Sequence, residues 1–233
     1  MSAQSRSFLP ILTAGAVAPA LMLLYVAGFR FPAARAAEPA PMAAEPAPVG
    51  ILAGTDTAVF AGGCFWGVEA VFDHLAGVST AVSGYAGGTL ASPSYEEVST
   101  GRTGHAESVM VVYDPSRISY DQLLQVFFTV AHDPTELDRQ GPDVGTQYRS
   151  AVFYRNPAQR AAAERYIAKL RDAKVYPSPI VTEVTALNAF HPAEDYHQDY
   201  LVHHPNQPYI VINDRPKLDE LRRRFPELYR AQG

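Results

Sequence analysis

Cys64 is the only cysteine of the 233-residue chain, and it stands in the segment Gly62-Gly63-Cys64-Phe65-Trp66-Gly67. The paired glycines mark a tight turn. After it, Val68, Val71, Phe72 and Leu75 recur at i, i+3, i+4 and i+7, one face of a helix that Gly77 is expected to stop. Val59-Phe60-Ala61, before the turn, reads as the end of a buried strand. The thiol is therefore expected at a strand–turn–helix junction, beside a helix N-terminus. Backbone N–H groups and the helix dipole favour a thiolate there. The glycines would let a substrate approach the backbone closely, and Phe65 and Trp66 set aromatic surface next to the sulfur. A buried, inert thiol is the alternative for a lone cysteine; the glycines and aromatics on either side favour a nucleophile.

Glu107 is the second residue with a chemical reading. It opens a strand to Tyr113 in which Glu107, Val109 and Val111 share one face and Ser108, Met110 and Val112 the other. Both faces are apolar beyond the first residue, so the strand is expected to be buried on both sides. A carboxyl at its entry is costly unless paired or protonated. Burial would raise its pKa and keep a transferable proton near neutral pH. A glutamate solvated just outside the sheet fits the same pattern.

His191, His197, His203 and His204 cluster near Glu194 and Asp195, which suggests a metal site. One helix would bring His191 to Asp195 and Asp199 to His203. Pro192 and Pro205 interrupt such a helix, which favours ordinary hydrogen bonding around a loop. Among the tyrosines, Tyr85, Tyr95, Tyr148, Tyr196 and Tyr200 include several in glycine-rich loops, where a phenol could serve a ligand.

The elements that must position these residues are legible. Val78–Tyr85 reads as a strand, with a loop from Gly87-Gly88. Asp114-Pro115 turns the chain after Tyr113, and Ser119 with Gln122 forms a capping box for a helix carrying Leu123, Leu124, Phe127 and Val130. Ser150–Tyr154 is a strand. Asn156-Pro157 opens a helix with Ala163, Ile167 and Leu170 inside. Ile180–Leu187 is a strand, and a last helix carries Leu218, Leu221 and Phe225 up to Pro226. Strands alternating with helices imply an α/β or α+β class, with helices packed on a sheet. Residues His132 to Arg149 lack periodicity and are long for a connection. Such a loop is functional or disordered; with Asp143 and Tyr148 in it, order and function are expected.

The remaining sequence limits the function. The net charge is −5 and no basic run stands outside Arg222-Arg223-Arg224, so nucleic acid is not indicated. One cysteine excludes an internal disulfide and any cysteine-pair zinc site. Phe8 to Phe29 is apolar between Arg6 and Arg30, and Ala34-Arg35-Ala36 offers a cleavage site. Residues 1–37 are therefore expected to be a signal peptide or an N-terminal membrane anchor; a buried core helix is disfavoured by Pro19 and the glycines. Residues 38–52, rich in Ala and Pro, read as a linker. A catalytic domain over 53–233 follows, exported to the periplasm or anchored facing it.

These residues resemble the peptide methionine sulfoxide reductase A family. The resemblance lies in the Cys64 segment with Glu69, in Gly84-Tyr85-Ala86-Gly87-Gly88, in His105-Ala106-Glu107 and in His132-Asp133-Pro134-Thr135. It continues through the run from Gln140 to Ser150, with Asp143 and Tyr148, and through Pro192-Ala193-Glu194-Asp195-Tyr196-His197-Gln198. These blocks run in order from about Ala58 to Pro208, and the order makes them specific. The resemblance implies an α+β sandwich around a mixed sheet with a ferredoxin-like core, and reduction of the S epimer of methionine sulfoxide, free or in proteins. It implies Cys64 as nucleophile and Glu107 as the acid that protonates the sulfoxide oxygen. Tyr95 and Tyr148 would hydrogen-bond that oxygen or the carboxyl, Phe65 and Trp66 would form the pocket for the substrate methyl, and Asp143 would support substrate binding and the later reduction steps. Attack on the protonated sulfoxide would leave Cys64 as a sulfenic acid, with no metal and no bound cofactor required.

Two departures from the family pattern stand out. His191 replaces an aromatic such as tyrosine. Many members carry resolving cysteines near the C-terminus and this chain has none, so an external thiol (thioredoxin, glutaredoxin or glutathione) must complete the cycle. A monomer is expected. Two rival readings use the same residues: a cysteine hydrolase pairing Cys64 with His191 or His197, and a non-catalytic module that binds oxidised peptides.

Overall fold

Alternation along two strands sets the centre of the molecule. In β1 (Asp56–Gly62), Ala58 and Phe60 face one side and Val59 and Ala61 the other, and all four are fully buried. In β3 (Ala106–Tyr113), Val109, Val111 and Tyr113 join the larger cluster while Ala106 and Met110 join the smaller one. A sheet covered on both faces is what such strands require. The computed structural model describes residues 54–231; the leader and the linker expected over 1–52 lie outside them. Among the described residues no helix is long and apolar enough to cross a membrane.

Six strands form one sheet. They are β1, β2 (Val78–Ala86), β3, β6 (Ser150–Tyr154), β7 (Glu183–Ala186) and β8 (Phe190–Pro192), in the order β7-β6-β1-β3-β2-β8. Every pair is antiparallel except β6–β7, which makes the sheet mixed. Within it, β1, helix α1 (Phe65–Asp73), β2, β3, helix α3 (Tyr120–Val126) and β6 give the β-α-β-β-α-β order with strands arranged β6-β1-β3-β2. This is the expected ferredoxin-like core.

Local signals hold where they are strong. Ser119 and Gln122 close their capping box at the start of α3. Asn156 caps α4 (Pro157–Asp172), with Pro157 in the first turn. The last helix, α6 (Arg215–Arg224), buries Leu221, and Phe225 beyond it is also buried.

Other boundaries move. Helix α1 ends at Asp73, before Gly77, and Gly77 (φ +100°) serves instead the turn into β2. The strand expected over Ile180–Leu187 is only Glu183–Ala186, because Pro177 and Pro179 keep the approach irregular. Helix α2 (Tyr95–Ser99) and strand β8 were not anticipated. The long connection after His132 contains a small hairpin, β4 (Arg139–Gln140) with β5 (Asp143–Val144), and a 3-10 turn at Thr146–Tyr148.

Helix α1 is buried almost all round, since α5 (Tyr200–His203) and α6 lie against it as well as the sheet. Its acids Glu69 and Asp73, one turn apart, are therefore inside. Glu69 accepts hydrogen bonds from the N–H groups of Ser83 (3.3 Å) and Asp199 (3.1 Å), and Asp73 from that of Ala81 (2.9 Å). Burial pushes Glu69 up to about 8 and Asp73 up to about 7. Both carboxyls hold a proton more tightly folded than unfolded. Their contribution is thus fullest below the unfolded carboxyl range and is lost as pH rises through about 7 to 8. Asp73→Asn keeps an acceptor for Ala81 and removes the charge. Urea unfolding from about pH 5 to about pH 9 should show a shallower fall in stability for this variant than for the parent; identical slopes would remove Asp73 as a source of pH dependence.

Candidate active site

Cys64 is the N-cap of α1, directly after the turn that ends β1. The glycines before it serve the protein rather than a substrate. Gly63 has φ +90°, and a Cβ on it would meet Cβ and Cγ of Gln140 at 2.5 Å. A Cβ on Gly62 would press on the His132 and Phe127 rings at 3.0–3.1 Å. Gln140 in turn clasps Asp133: its amide oxygen accepts from Asp133 N–H (2.9 Å) and its amide nitrogen donates to Asp133 C=O (3.0 Å). The β4–β5 hairpin is thereby seated against the Cys64 turn.

His132 anchors the same region. Its Nδ1–H donates to Phe127 C=O (3.0 Å), which leaves Nε2 to accept from Ser150 Oγ (2.7 Å). Burial holds its pKa down at about 4, so it is neutral.

The thiolate expected from the helix terminus is not the resting form. The sulfur is buried, and burial pushes the thiol well above its ordinary range; the charges of Glu107 and Asp214 add to this. Trp66 N–H and Lys217 oppose it without prevailing. A dry setting, with two carboxyls adding to it, outweighs the helix dipole.

Glu107 is 2% exposed, which removes the solvated alternative. Its Oε2 accepts the N–H of Phe65 at 3.0 Å, in the first turn of α1. Burial pushes the carboxyl up to about 8; the nearby charge of Asp143 adds and the Phe65 N–H opposes. At neutral pH it holds its proton. Tyr95, on α2, and Tyr148, in the 3-10 turn, are both half-buried. Burial first, then the charges of Glu107 and Cys64, raise both phenols, so each remains a donor. The structure thus brings Cys64, Glu107, Tyr95 and Tyr148 to one place.

The two aromatics differ. Phe65 is 1% exposed, with its ring 5.0 Å from His197 and 5.9 Å from Tyr85 between centroids. It belongs to the core under the site. Trp66 is half-buried: its indole N–H donates to His197 Nδ1 (3.1 Å), Tyr200 stacks on it at 3.7 Å, and Tyr209 meets it edge-on at 5.9 Å.

Asp143 accepts a short hydrogen bond from the Tyr209 hydroxyl. Tyr209 was not singled out in the sequence, and a tyrosine in a polar C-terminal segment carries no signal of its own. Glu194 was noted in the histidine-rich stretch and in the block of family resemblance that overlaps it, with no role of its own. It ties two site elements together, accepting from Tyr85 O–H (2.9 Å) and Tyr95 N–H (2.8 Å). His191, on β8, lies edge-on to His105 at 5.3 Å. His197 Nδ1 accepts from the Trp66 indole and its Nε2 has no hydrogen-bond partner, while His191 packs against His105, so neither forms the pairing with Cys64 that a hydrolase needs. Among the described residues, no group of three or more His, Cys, Asp or Glu is arranged to hold a metal.

A family model described as peptide methionine sulfoxide reductase matches residues 56–228. The chain belongs to this family. A protein of Mesorhizobium japonicum named peptide methionine sulfoxide reductase MsrA 2 is 58% identical over 176 residues, 76% of this chain and 90% of that protein. One of the same name from Synechocystis sp. is 49% identical, over 77% of this chain and 84% of its own. Among solved structures, methionine sulfoxide reductase A of Corynebacterium diphtheriae aligns with TM-score 0.59 and 40% identity, over 67% of this chain and 78% of that one. Reduced Mxr1 from Saccharomyces cerevisiae aligns with TM-score 0.62 and 33% identity, over 66% and 88%. The reductase fold and the mixed sheet described above agree with both.

The seating of Gln140 on Gly63 gives a structural test. Gly63→Ala faces both a positive φ and an overlap with Gln140. It should destabilise the domain by about 1–3 kcal/mol, measured by urea unfolding. An unchanged midpoint would mean the hairpin moves aside freely.

Proposed function

We propose that the chain reduces the S epimer of methionine sulfoxide, free or in proteins, with Cys64 as nucleophile and Glu107 as acid. The observation that carries this reading is the bond from Phe65 N–H to the protonated Glu107 carboxyl. It holds a transferable proton at the end of the helix that the sole cysteine caps.

A sulfoxide is polar at oxygen and apolar at methyl, so its site needs donors on one side and aromatic surface on the other. Glu107, Tyr95 and Tyr148 are the donors. Trp66 supplies the open aromatic surface, and Phe65 supports it from beneath. Asp143, held by Tyr209, orients the substrate and assists later steps. Glu107 protonates the sulfoxide oxygen, which makes the sulfoxide sulfur electrophilic, and recovers a proton from the Cys64 thiol. The net step moves the oxygen atom to Cys64: methionine sulfur gains two electrons, and the cysteine becomes a sulfenic acid. With no second cysteine, two equivalents of an external thiol return Cys64 to the thiol, releasing water and a disulfide. Thioredoxin, glutaredoxin and glutathione all have the required chemistry. The apolar segment Phe8 to Phe29 and the Ala-Pro linker support a site of action outside the cytoplasm, with the leader cleaved or kept as a tether.

The central test mixes the protein with a racemic peptide methionine sulfoxide in the absence of reductant. One methionine per protein, loss of the S epimer alone and one added oxygen on Cys64 are expected. Unmodified thiol in folded protein would sink the reading. Glu107→Gln should retain sulfoxide binding but form sulfenic acid at least about a hundredfold more slowly in a single turnover. Because the proton is needed, the parent's single-turnover rate should fall as pH rises through about 8, the level to which burial lifts Glu107. An unchanged rate in the variant would remove Glu107 from the acid role.

A further inference from the structure

The C-terminal segment brings a charged pair to the site that the reaction above leaves unused. Asp214 ends a π-helical turn at Ile210–Asp214, and Lys217 lies at the start of α6, with Nζ 3.3 Å from Asp214 Oδ1. Asp214 is 1% exposed, and beyond this ion pair neither of its oxygens has a hydrogen-bond partner. Lys217 reaches the surface, with 18% of its side chain exposed.

The carboxyl is pressed onto the catalytic helix. A Cβ on Gly67 would overlap Asp214 Oδ1 and come within 2.7 Å of Lys217 Nζ. Gly67 is the third residue of the helix that Cys64 caps. That helix has no acidic residue in its own first turn and no side-chain cap. Two carboxyls from distant parts of the chain occupy the place instead: Glu107, bonded to Phe65 N–H, and Asp214, against Gly67. A buried carboxylate without a cation is costly, and Lys217 is the cation Asp214 has.

We propose that Asp214 and Lys217 form a positioning pair for Cys64, one that sets how readily its thiol ionises. The proposal rests on Cys64 being the nucleophile, but it concerns the state of the sulfur before any sulfoxide arrives. Glu107 faces the sulfur from β3, Tyr95 from α2, and Tyr148 from the 3-10 turn. Tyr209, Asp214 and Lys217 face it from the C-terminal segment. Asp143 and Tyr209 also face Asp214, and the charge of Lys217 reaches His132. Among the groups acting most strongly on the sulfur, Lys217 is the positive one and Asp214 works against it. The thiol titrates where a carboxyl stripped of its cation is ionised, so removing Lys217 leaves a bare negative charge beside the sulfur.

The test is alkylation of Cys64 in the whole chain by iodoacetamide across pH, read by mass, with no sulfoxide present. The single cysteine makes the adduct unambiguous, and the midpoint of the profile, not the absolute rate, is the readout. Asp214→Asn should lower the midpoint by about half a unit or more, a rate gain of about threefold on the rising limb. Lys217→Met should raise it by a similar amount, and Lys217→Arg should restore the parent value. Unmoved midpoints in folded Asp214→Asn and Lys217→Met proteins would overturn the proposal, since packing alone changes stability and leaves the profile in place. If Asp214→Asn does not fold, the partly exposed Lys217 variants decide. Failure of sulfoxide reduction with shifted midpoints would sink the function and leave the pair standing; the converse result would do the reverse.

Discussion

The hydrogen bond from Phe65 N–H to Glu107 Oε2, 3.0 Å long, joins the first turn of α1 to the start of β3. Each end solves the other's problem. A helix N-terminus has N–H groups without partners inside the helix, and a carboxyl that is 2% exposed needs a donor or a proton. An ordinary N-cap residue would have met the first need with its own side chain. Cys64 makes no such bond, so its sulfur is left free for chemistry while a glutamate forty-three positions along the chain does the capping. Cys64 and Glu107 thus sit on rigid elements, a helix and a strand, and the segments around them bring Tyr148 and Asp143 to that pair.

The loops are then fitted to that frame by side chains clasping backbone. Gln140 binds Asp133 at both backbone groups and lies on Gly63. Glu194 holds Tyr85 and the start of α2. Arg149 donates to the carbonyls of Thr146 and Gly104 and pairs with Glu183. Gln147 donates to Ser99 C=O, and Thr146 to Gly101 C=O, which fastens the turn carrying Tyr148 to the end of α2, the helix that carries Tyr95, and to the residues just after it. Segments without periodicity are thus ordered through polar contacts that satisfy backbone groups a sheet or helix would otherwise satisfy.

Legibility followed the kind of force involved. Hydrophobic period and capping chemistry act over a few residues, so β1, β3, β6, α3 and α4 could be read directly; for Glu107 the pattern left burial and solvation both open, and the packed structure decides for burial. The ferredoxin-like order and the roles at the site came through the family resemblance. What stayed hidden was set by partners far away in sequence. The burial of Glu69 and Asp73 depends on α5 and α6 covering α1. The glycines at 62 and 63 look like a surface for substrate until His132 and Gln140 are seen against them. Tyr209, Asp214 and Lys217 gain meaning only when the C-terminal segment is laid along α1. Reading the helix dipole alone gave the wrong resting state for Cys64, because burial first, and then two carboxyls from other elements, oppose its ionisation.

That resting state bears on how such a site can be selective. With the thiol neutral and Glu107 protonated, the pair stores two protons, and burial penalises releasing either into the protein. A bare thiolate is open to any electrophile or oxidant, whereas a neutral thiol reacts slowly. A sulfoxide changes the balance because it brings its own proton acceptor. In the proposed reaction, once its oxygen takes the Glu107 proton, the carboxylate left behind becomes a base beside the thiol, and the sulfur is activated at the moment an electrophilic sulfur stands before it. Coupling of the two proton sites, rather than a permanently ionised cysteine, would then confine reactivity to a ligand with a basic oxygen on an oxidised sulfur.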